Sequence, residues 1–305
     1  MQETNLLIIL GATASGKTKL AVDIAHALDS EIISADSRQI FKGMDIGTGK
    51  DLAAYHVNGK VIPHHLIDIL PAGARYHVDA FKNDFYQAFT SISQNNKLPI
   101  LCGGTGMYIN SILQNQSYTA IPVDDFYREG IARLPKEDLI KLLLQYPKEH
   151  IKHVDVASHK RLVRALEIAR YLKHNPLPEI ERPLIKPAVF GLKSEREATR
   201  SRIQLRLKDR LQNGMIAEVE NLLANGLTHD MLHFYGLEYK FISKYLLGEY
   251  TFDDLNILLG TAICQYAKRQ NTFFRKMEKD GVHINWLDAA VSTSELKQRI
   301  LKIVS

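Results

Sequence analysis

The chain has 305 residues, 45% of them hydrophobic and 24% charged, with a formal net charge of +5, the composition of an ordinary globular protein with one large domain or two modest ones. No apolar run reaches the about 18 residues that a membrane helix needs, so no membrane association is expected. Two cysteines, Cys102 and Cys264, make neither a disulfide framework nor a metal-ligand spacing, and a reducing, cytoplasmic setting is expected.

Taken in chain order, the first segment "LLIIL" (6–10) reads as a strand, with no signal-peptide pattern before it. "KLAVDIAHAL" comes next as a helix and "EIIS" as a second strand. Later come strand-like "HLIDIL" (65–70), helix-like "DAFKNDFYQAFTSISQ" (79–94) and strand-like "LPILCGG" (98–104). This alternation predicts βαβ units and a parallel sheet, whose buried strands are continuously apolar. After about Ser117 the pattern changes. Residues 119–184 are helix-prone, punctuated by proline and without a strand. Within them "KRLVRALEIARYL" puts Leu162, Leu166, Ala169 and Leu172 on one helical face. "PAVFGL" (187–192) returns to strand, helices are expected near 195–213, 216–225, 237–247 and 252–277, and "VHINWL" reads as a last strand. The fold class is therefore α/β, a P-loop NTPase-like parallel sheet core with a helical insertion. The core takes 1–118 and 185–305, and the insertion 119–184.

The loop after the first strand reads Gly11-Ala12-Thr13-Ala14-Ser15-Gly16-Lys17-Thr18. Its Gly-x4-Gly-Lys-Thr spacing turns backbone N–H groups toward an anion, and the helix after it adds the positive end of its dipole. Lys17 supplies a point charge and the Thr18 hydroxyl is the usual Mg²⁺ contact. Kinases, ATPases, GTPases and some transferases all use such a loop. A strand-end carboxylate would help to hold Mg²⁺, and Asp36 and Asp68 are the candidates. Asp36 is followed by Ser37, Arg38 and Gln39; its structural alternative is a cap on a following helix. A second glycine turn, "CGGTGMY" (102–108), brings Gly103, Gly104 and Gly106 close to whatever binds, with the Thr105 hydroxyl among them. His64 and His65 read as packed histidines.

Positive charge is clustered. From Lys186 to Arg210 there are eight Lys/Arg against three acids. Lys160, Arg161, Arg164, Arg170 and Lys173 form a second group, and "KRQNTFFRK" (268–276) a third, with Phe273 and Phe274 interleaved. An anionic partner or solvated helix faces would each account for them.

As a set, "GATASGKT", "ISADSRQIFKGMDIGTGK", "PHHLIDI", "LPILCGGTGMY", "KRLVRALE" and "QYAKRQNTFFR" resemble the tRNA dimethylallyltransferases, the IPP transferase family, in family order from residue 11 to 275. The resemblance implies transfer of a dimethylallyl group from dimethylallyl diphosphate to N6 of adenine 37, in tRNAs reading codons that start with U. It implies that Gly11 to Thr18 bind the diphosphate, with Mg²⁺ on Thr18. Asp36 would act as general base, Thr105 on the bridging oxygen and Lys17 on the leaving group. Asp36, Ser37, Arg38, Gln39, Lys160, Arg161, Arg164, Lys268, Arg269, Gln270 and Arg275 would contact the tRNA anticodon stem-loop, and a monomer is expected. The chain departs from the pattern at Ala262-Ile263-Cys264-Gln265, where the family usually reads Ala-Thr-Arg-Gln. Transfer to a free adenine nucleotide, or a P-loop small-molecule kinase, are the alternatives.

Overall fold

The computed structural model describes residues 4–114, 117–151, 156 and 158–304. The chain divides into two compact units, Met1–Gln114 with Pro183–Ser305, and Asn115–Arg182. The inserted unit thus starts four residues, and ends two residues, before the limits read from composition.

The first unit is built on a sheet. Strand β1 (Leu6–Gly11) leads to helix α1 (Lys17–Ala27) and strand β2 (Ile32–Ser34). A hairpin of β3 (His56–Val57) and β4 (Lys60–Val61) precedes β5 (His64–His65), α2 (Val78–Gln94), β6 (Ile100–Gly103) and α3 (Gly106–Leu113). The main sheet has the order β5-β2-β6-β1, continued after the insertion by β7 (Pro187–Lys193) and β8 (Asn285–Asp288), every pair parallel. Apolar residues fill β1 because both of its faces are covered. Leu6, Ile8 and Leu10 point into one core, and Leu7 and Ile9 into the other. Alternation along a strand makes this division, and helices on both sides make every position apolar. Ile9→Ala is expected to destabilise the protein by about 2–5 kcal/mol. The check is a lower denaturant midpoint at an unchanged slope.

The remaining helices of this unit, numbered in chain order past the three of the insertion, are α7 (Arg196–Gln212), α8 (Met215–Ala224), α9 (His229–Tyr235), α10 (Leu237–Leu246), α11 (Phe252–Lys279) and α12 (Thr293–Val304). Helix α12 lies beyond the last expected element and buries Leu296 and Ile300 in the core shared with α1.

"HLIDIL" is not a full strand. Pairing with β2 stops at His65, and Leu66 and Asp68 then take the left-handed backbone, φ 62° and 56°. The cause is a buried cation. Lys50, only 1% exposed, donates from Nζ to Phe41 O at 2.6 Å, to Asp45 Oδ1 at 2.6 Å and to Asp68 Oδ1. Asp68 N–H also donates to Gln39 O at 3.0 Å. Holding those bonds turns the chain out of the sheet, and the Asp68 carboxylate belongs to Lys50 rather than to a metal.

The second unit consists of α4 (Asp125–Ile131), α5 (Lys136–Leu143) and α6 (His159–His174) with short 3-10 turns, and no strand among its described residues. Its core gathers Ile131, Leu139, Leu143, Leu162, Val163, Leu166 and Ala169. Glu167 is buried with them and accepts from Asp124 N–H at 2.6 Å, Arg128 Nη2 at 2.8 Å and Arg164 Nη1. No helix among the described residues is long and apolar enough to cross a membrane.

Candidate active site

Because all main-sheet strands are parallel, the loops after β1, β2 and β6 emerge at one edge. β6 lies between β1 and β2, and the chain leaves β1 toward one side and β6 toward the other. The crevice at such a switch point is where ligands bind open α/β sheets.

The loop after β1 is shaped as an anion cradle. Ala14 (φ 60°) and Gly16 (φ 86°) take left-handed backbone, and Gly16 caps α1 with no side chain on the helix N–H groups and no acid in the first turn. Those donors and the dipole are left for a ligand. Ser15 Oγ is buried without a hydrogen-bond partner among the described residues. Lys17 reaches back to Ala12 O at 3.4 Å. Burial lowers its pKa below the ordinary lysine value, against the pull of Cys102 and Asp36 in the other direction. The Cys102 thiol behind it is pushed up to about 12, mainly by burial, which keeps it a thiol.

One glutamine fastens this loop to the second glycine turn. Gln270 of α11, 8% exposed, accepts from Thr13 N–H at 2.9 Å and donates to Gly104 O at 2.8 Å. A Cβ on Gly104 would lie 2.4 Å from Gln270 Nε2, so the turn needs glycine there for close approach. Gln270 is therefore an internal strut, and its assignment as an RNA contact is corrected. Gln270→Ala leaves a buried donor and acceptor unpaired, a cost of about 1–3 kcal/mol each. The expected result is a lower melting temperature and weaker binding of inorganic pyrophosphate, both read from thermal melts with and without that anion.

Asp36 stands two residues past β2, half-buried, with Oδ1 accepting from Arg38 N–H at 2.9 Å. This is a local turn, and residues 37–40 form no helix, which removes the helix-cap alternative. Thr105 docks beside it: its N–H donates to Ala35 O at 3.1 Å and its Oγ1 accepts from Ser37 N–H at 3.0 Å. The threonine hydroxyl itself donates only a long bond, 3.4 Å to Ser37 Oγ. The Asp36 charge acts on Lys17, Cys102, Tyr108, Arg206, Glu238 and Tyr266.

Arg206 of α7 is a member of this cleft that sequence alone places only inside a basic cluster. Its Nη2 donates to Thr13 Oγ1 at 2.5 Å, and its pKa is lowered to about 10 by burial and by Arg210. The signal was in the spacing. Arg202, Arg206 and Arg210 recur every four residues, which places them on one helical face, whereas a solvated cluster would be spread around the helix.

The other expected residues have partners of their own or stand on exposed helix surface. Arg38 donates from Nη1 to Phe234 O and lies over the Phe234 ring, 5.4 Å from its centroid. Gln39 accepts from Ser34 Oγ at 3.1 Å and donates to Gly49 O at 3.2 Å. Lys268, Arg269 and Arg275 are exposed on α11, with Arg269 6.0 Å from the Tyr266 ring centroid. The two phenylalanines between them face inward: Phe274 is fully buried and Phe273 packs against Gly106. His64 and His65 are packed, against Tyr55 and Glu31.

In the inserted unit Lys160 and Arg161 are exposed on α6. Arg164 is not an equivalent cation. Besides Glu167, it donates to Ile121 O at 2.7 Å and to Tyr118 O and Pro122 O at 3.3 Å, so it anchors the start of the unit. Arg164→Ala is expected to loosen the unit, read as faster hydrogen exchange in α4 and α6. Arg161→Ala should reduce the salt dependence of RNA binding by about one phosphate contact.

A parallel sheet with an anion loop after its central strand and a helical insertion after β6 defines a P-loop α/β protein. Residues 39–277 match the family described as IPP transferase, and residues 4–61 that described as isopentenyl transferase. Among curated proteins, the chain is 46% identical over 290 residues to tRNA dimethylallyltransferase 2 of Shewanella sediminis, covering 95% of each chain. It is 47% identical over 298 residues to tRNA dimethylallyltransferase 2 of Porphyromonas gingivalis, covering 98% of each. The structure superposes on the full-length tRNA isopentenylpyrophosphate transferase of Bacillus halodurans with a TM-score of 0.72 at 30% identity, over 99% of this chain and 96% of that one. The chain belongs to the IPP transferase family.

Proposed function

We propose that the protein is a tRNA dimethylallyltransferase, moving a dimethylallyl group from dimethylallyl diphosphate to N6 of adenine 37 in tRNAs that read codons starting with U, in the cytoplasm. The observation that carries this reading is the juxtaposition, at one sheet edge, of an anion cradle with Lys17 and Arg206, and of Asp36 beside the Thr105 hydroxyl. The names of near full-length relatives support it.

In this mechanism the bond between the allylic carbon and the diphosphate oxygen breaks as the bond from that carbon to N6 forms. Negative charge grows on the diphosphate, and the N–H groups of Ala14 to Thr18, with Lys17 and Arg206, are placed to stabilise it. The Thr105 hydroxyl donates to the departing bridging oxygen. Asp36 orients the exocyclic amine and takes its proton on the oxygen that Arg38 N–H does not occupy. Among the described residues no cluster of three His, Cys, Asp or Glu could hold a metal alone. The donor set suits Mg²⁺ held by the Thr18 hydroxyl and by substrate phosphates, with waters completing the shell. Mg²⁺ would neutralise charge on the leaving group. The acceptor base must leave its stack to reach the cleft. Ser37, Arg38 and Gln39 would meet it, while Lys160, Arg161, Lys268, Arg269 and Arg275 supply phosphate contacts that give affinity and register.

The test is a single-turnover incubation with Mg²⁺ and labelled dimethylallyl diphosphate, offering unmodified tRNA and AMP in parallel. Label in the adenine beside the anticodon is the expected result. Label only in AMP, or ATP consumed with no label transferred, would overturn the proposal.

A further inference from the structure

A small cavity in the first unit is lined by Ile203, Leu207, Met215 and Ile263 and by three ionisable side chains, Arg206, Arg210 and Glu238. Arg206 is accounted for by its bond to Thr13. Arg210 is not. Its side chain is only 10% exposed, yet Nη2 has no hydrogen-bond acceptor among the described residues. The nearest carboxylate with which it pairs, Asp51 Oδ1, lies 3.8 Å away on a residue whose own side chain is 60% exposed. The guanidinium is pressed onto the backbone of the loop that carries Gly49, where a Cβ would lie 1.9 Å from Nη2. Gly49 has φ +66°, so this close approach is built on a position suited to glycine.

An arginine cannot shed its charge, and a buried N–H donor without an acceptor is costly. Two guanidiniums four residues apart on one helix also repel each other. Glu238 offsets part of that charge, but burial raises its pKa, and Asp51 reaches Arg210 only from the surface. A guanidinium fork left in this way is suited to an anion with several oxygens. Arg210 lines the same cavity as Arg206, whose guanidinium touches the phosphate loop. That cavity also contains Ile263 of α11.

We infer that Arg210 is a second phosphate-binding arginine of this chain, holding the terminal phosphate of the isoprenoid diphosphate beside Arg206. The inference rests on the proposed function, since it takes the diphosphate to occupy the loop. Arg210 binds the donor and takes no part in moving the proton.

The experiment is calorimetric titration of the full chain with inorganic pyrophosphate and Mg²⁺, for the wild type, Arg210→Gln and Arg210→Lys, with melting temperatures and binding of anticodon-arm RNA measured alongside. Arg210→Gln is expected to bind pyrophosphate roughly 10- to 100-fold more weakly. The lysine variant should fall between, with RNA affinity unchanged. Wild-type affinity in Arg210→Gln overturns the inference. A loss seen in RNA binding and not in pyrophosphate binding overturns it too, by making an RNA phosphate the ligand. A wild type that binds no pyrophosphate sinks the reading of the loop itself, a separate failure. Should Arg210→Gln not fold, ¹⁵N-arginine spectra of the wild type decide: pyrophosphate must shift the Arg210 side-chain signal, and a signal that stays put overturns the inference.

Discussion

Replacing Asp36 by asparagine is expected to slow single-turnover transfer by about 10²–10⁴, the contribution of a positioned general base. The substitution is nearly isosteric. Its carbonyl oxygen can still accept from Arg38 N–H, a bond of 2.9 Å in the wild type, so the turn that presents residues 36–39 persists. Binding of anticodon-arm RNA should therefore stay within about twofold, inside the few tenths of a kcal/mol typical of surface substitutions. What is lost is the second oxygen's ability to take a proton. A variant that transfers at the wild-type rate would remove Asp36 from the mechanism and leave it a turn residue.

Lys17→Met should be the other large effect, lowering the rate by about 10²–10³, as removing one preorganised charge-stabilising donor does elsewhere. A pH profile adds a sharper check. Burial holds the Lys17 pKa below the ordinary lysine value, so the free protein loses this positive charge at a lower pH than an exposed lysine would. The alkaline limb of kcat/KM for the diphosphate donor should fall accordingly early. A bound diphosphate favours the charged form, and the limb in kcat should lie at higher pH. Lys17→Arg, which keeps its charge throughout, should lose the limb altogether. An alkaline limb unmoved by Lys17→Arg would assign it to another group.

Much of this cleft was legible because its parts sit on strand ends. The apolar runs of β1, β2, β6 and β7 announce buried parallel strands. The first three of them run directly into the anion loop, Asp36 and the Thr105 turn, in the order β1, β2 and β6. Local sequence carries that information. It does not carry the answer to which polar side chains face inward. Gln270, Arg164 and Lys50 stand among charged or polar neighbours, and nothing in their spacing separates them from Lys268 or Arg161. Only the fold shows that one braces two glycine turns, another gathers three carbonyls and a buried carboxylate, and the third bends the chain out of β5. The failure at "HLIDIL" has the same origin: an apolar run was overruled by a lysine fifteen residues earlier in the chain. Arg206 is the intermediate case, since its fourfold spacing with Arg202 and Arg210 marks one face of α7 in the sequence itself.

The Gln270 strut also has a bearing on synthesis. It joins positions 257 residues apart, and β1 cannot complete its pairing until β7 has been made, about 180 residues after it. Contacts of such separation close late and slowly. A nascent chain that already displays the whole Gly11–Thr18 loop still lacks the side chain that fixes its backbone and the arginine that faces it. The growing polypeptide therefore completes the bracing of this loop only after Gln270 of α11 has been made.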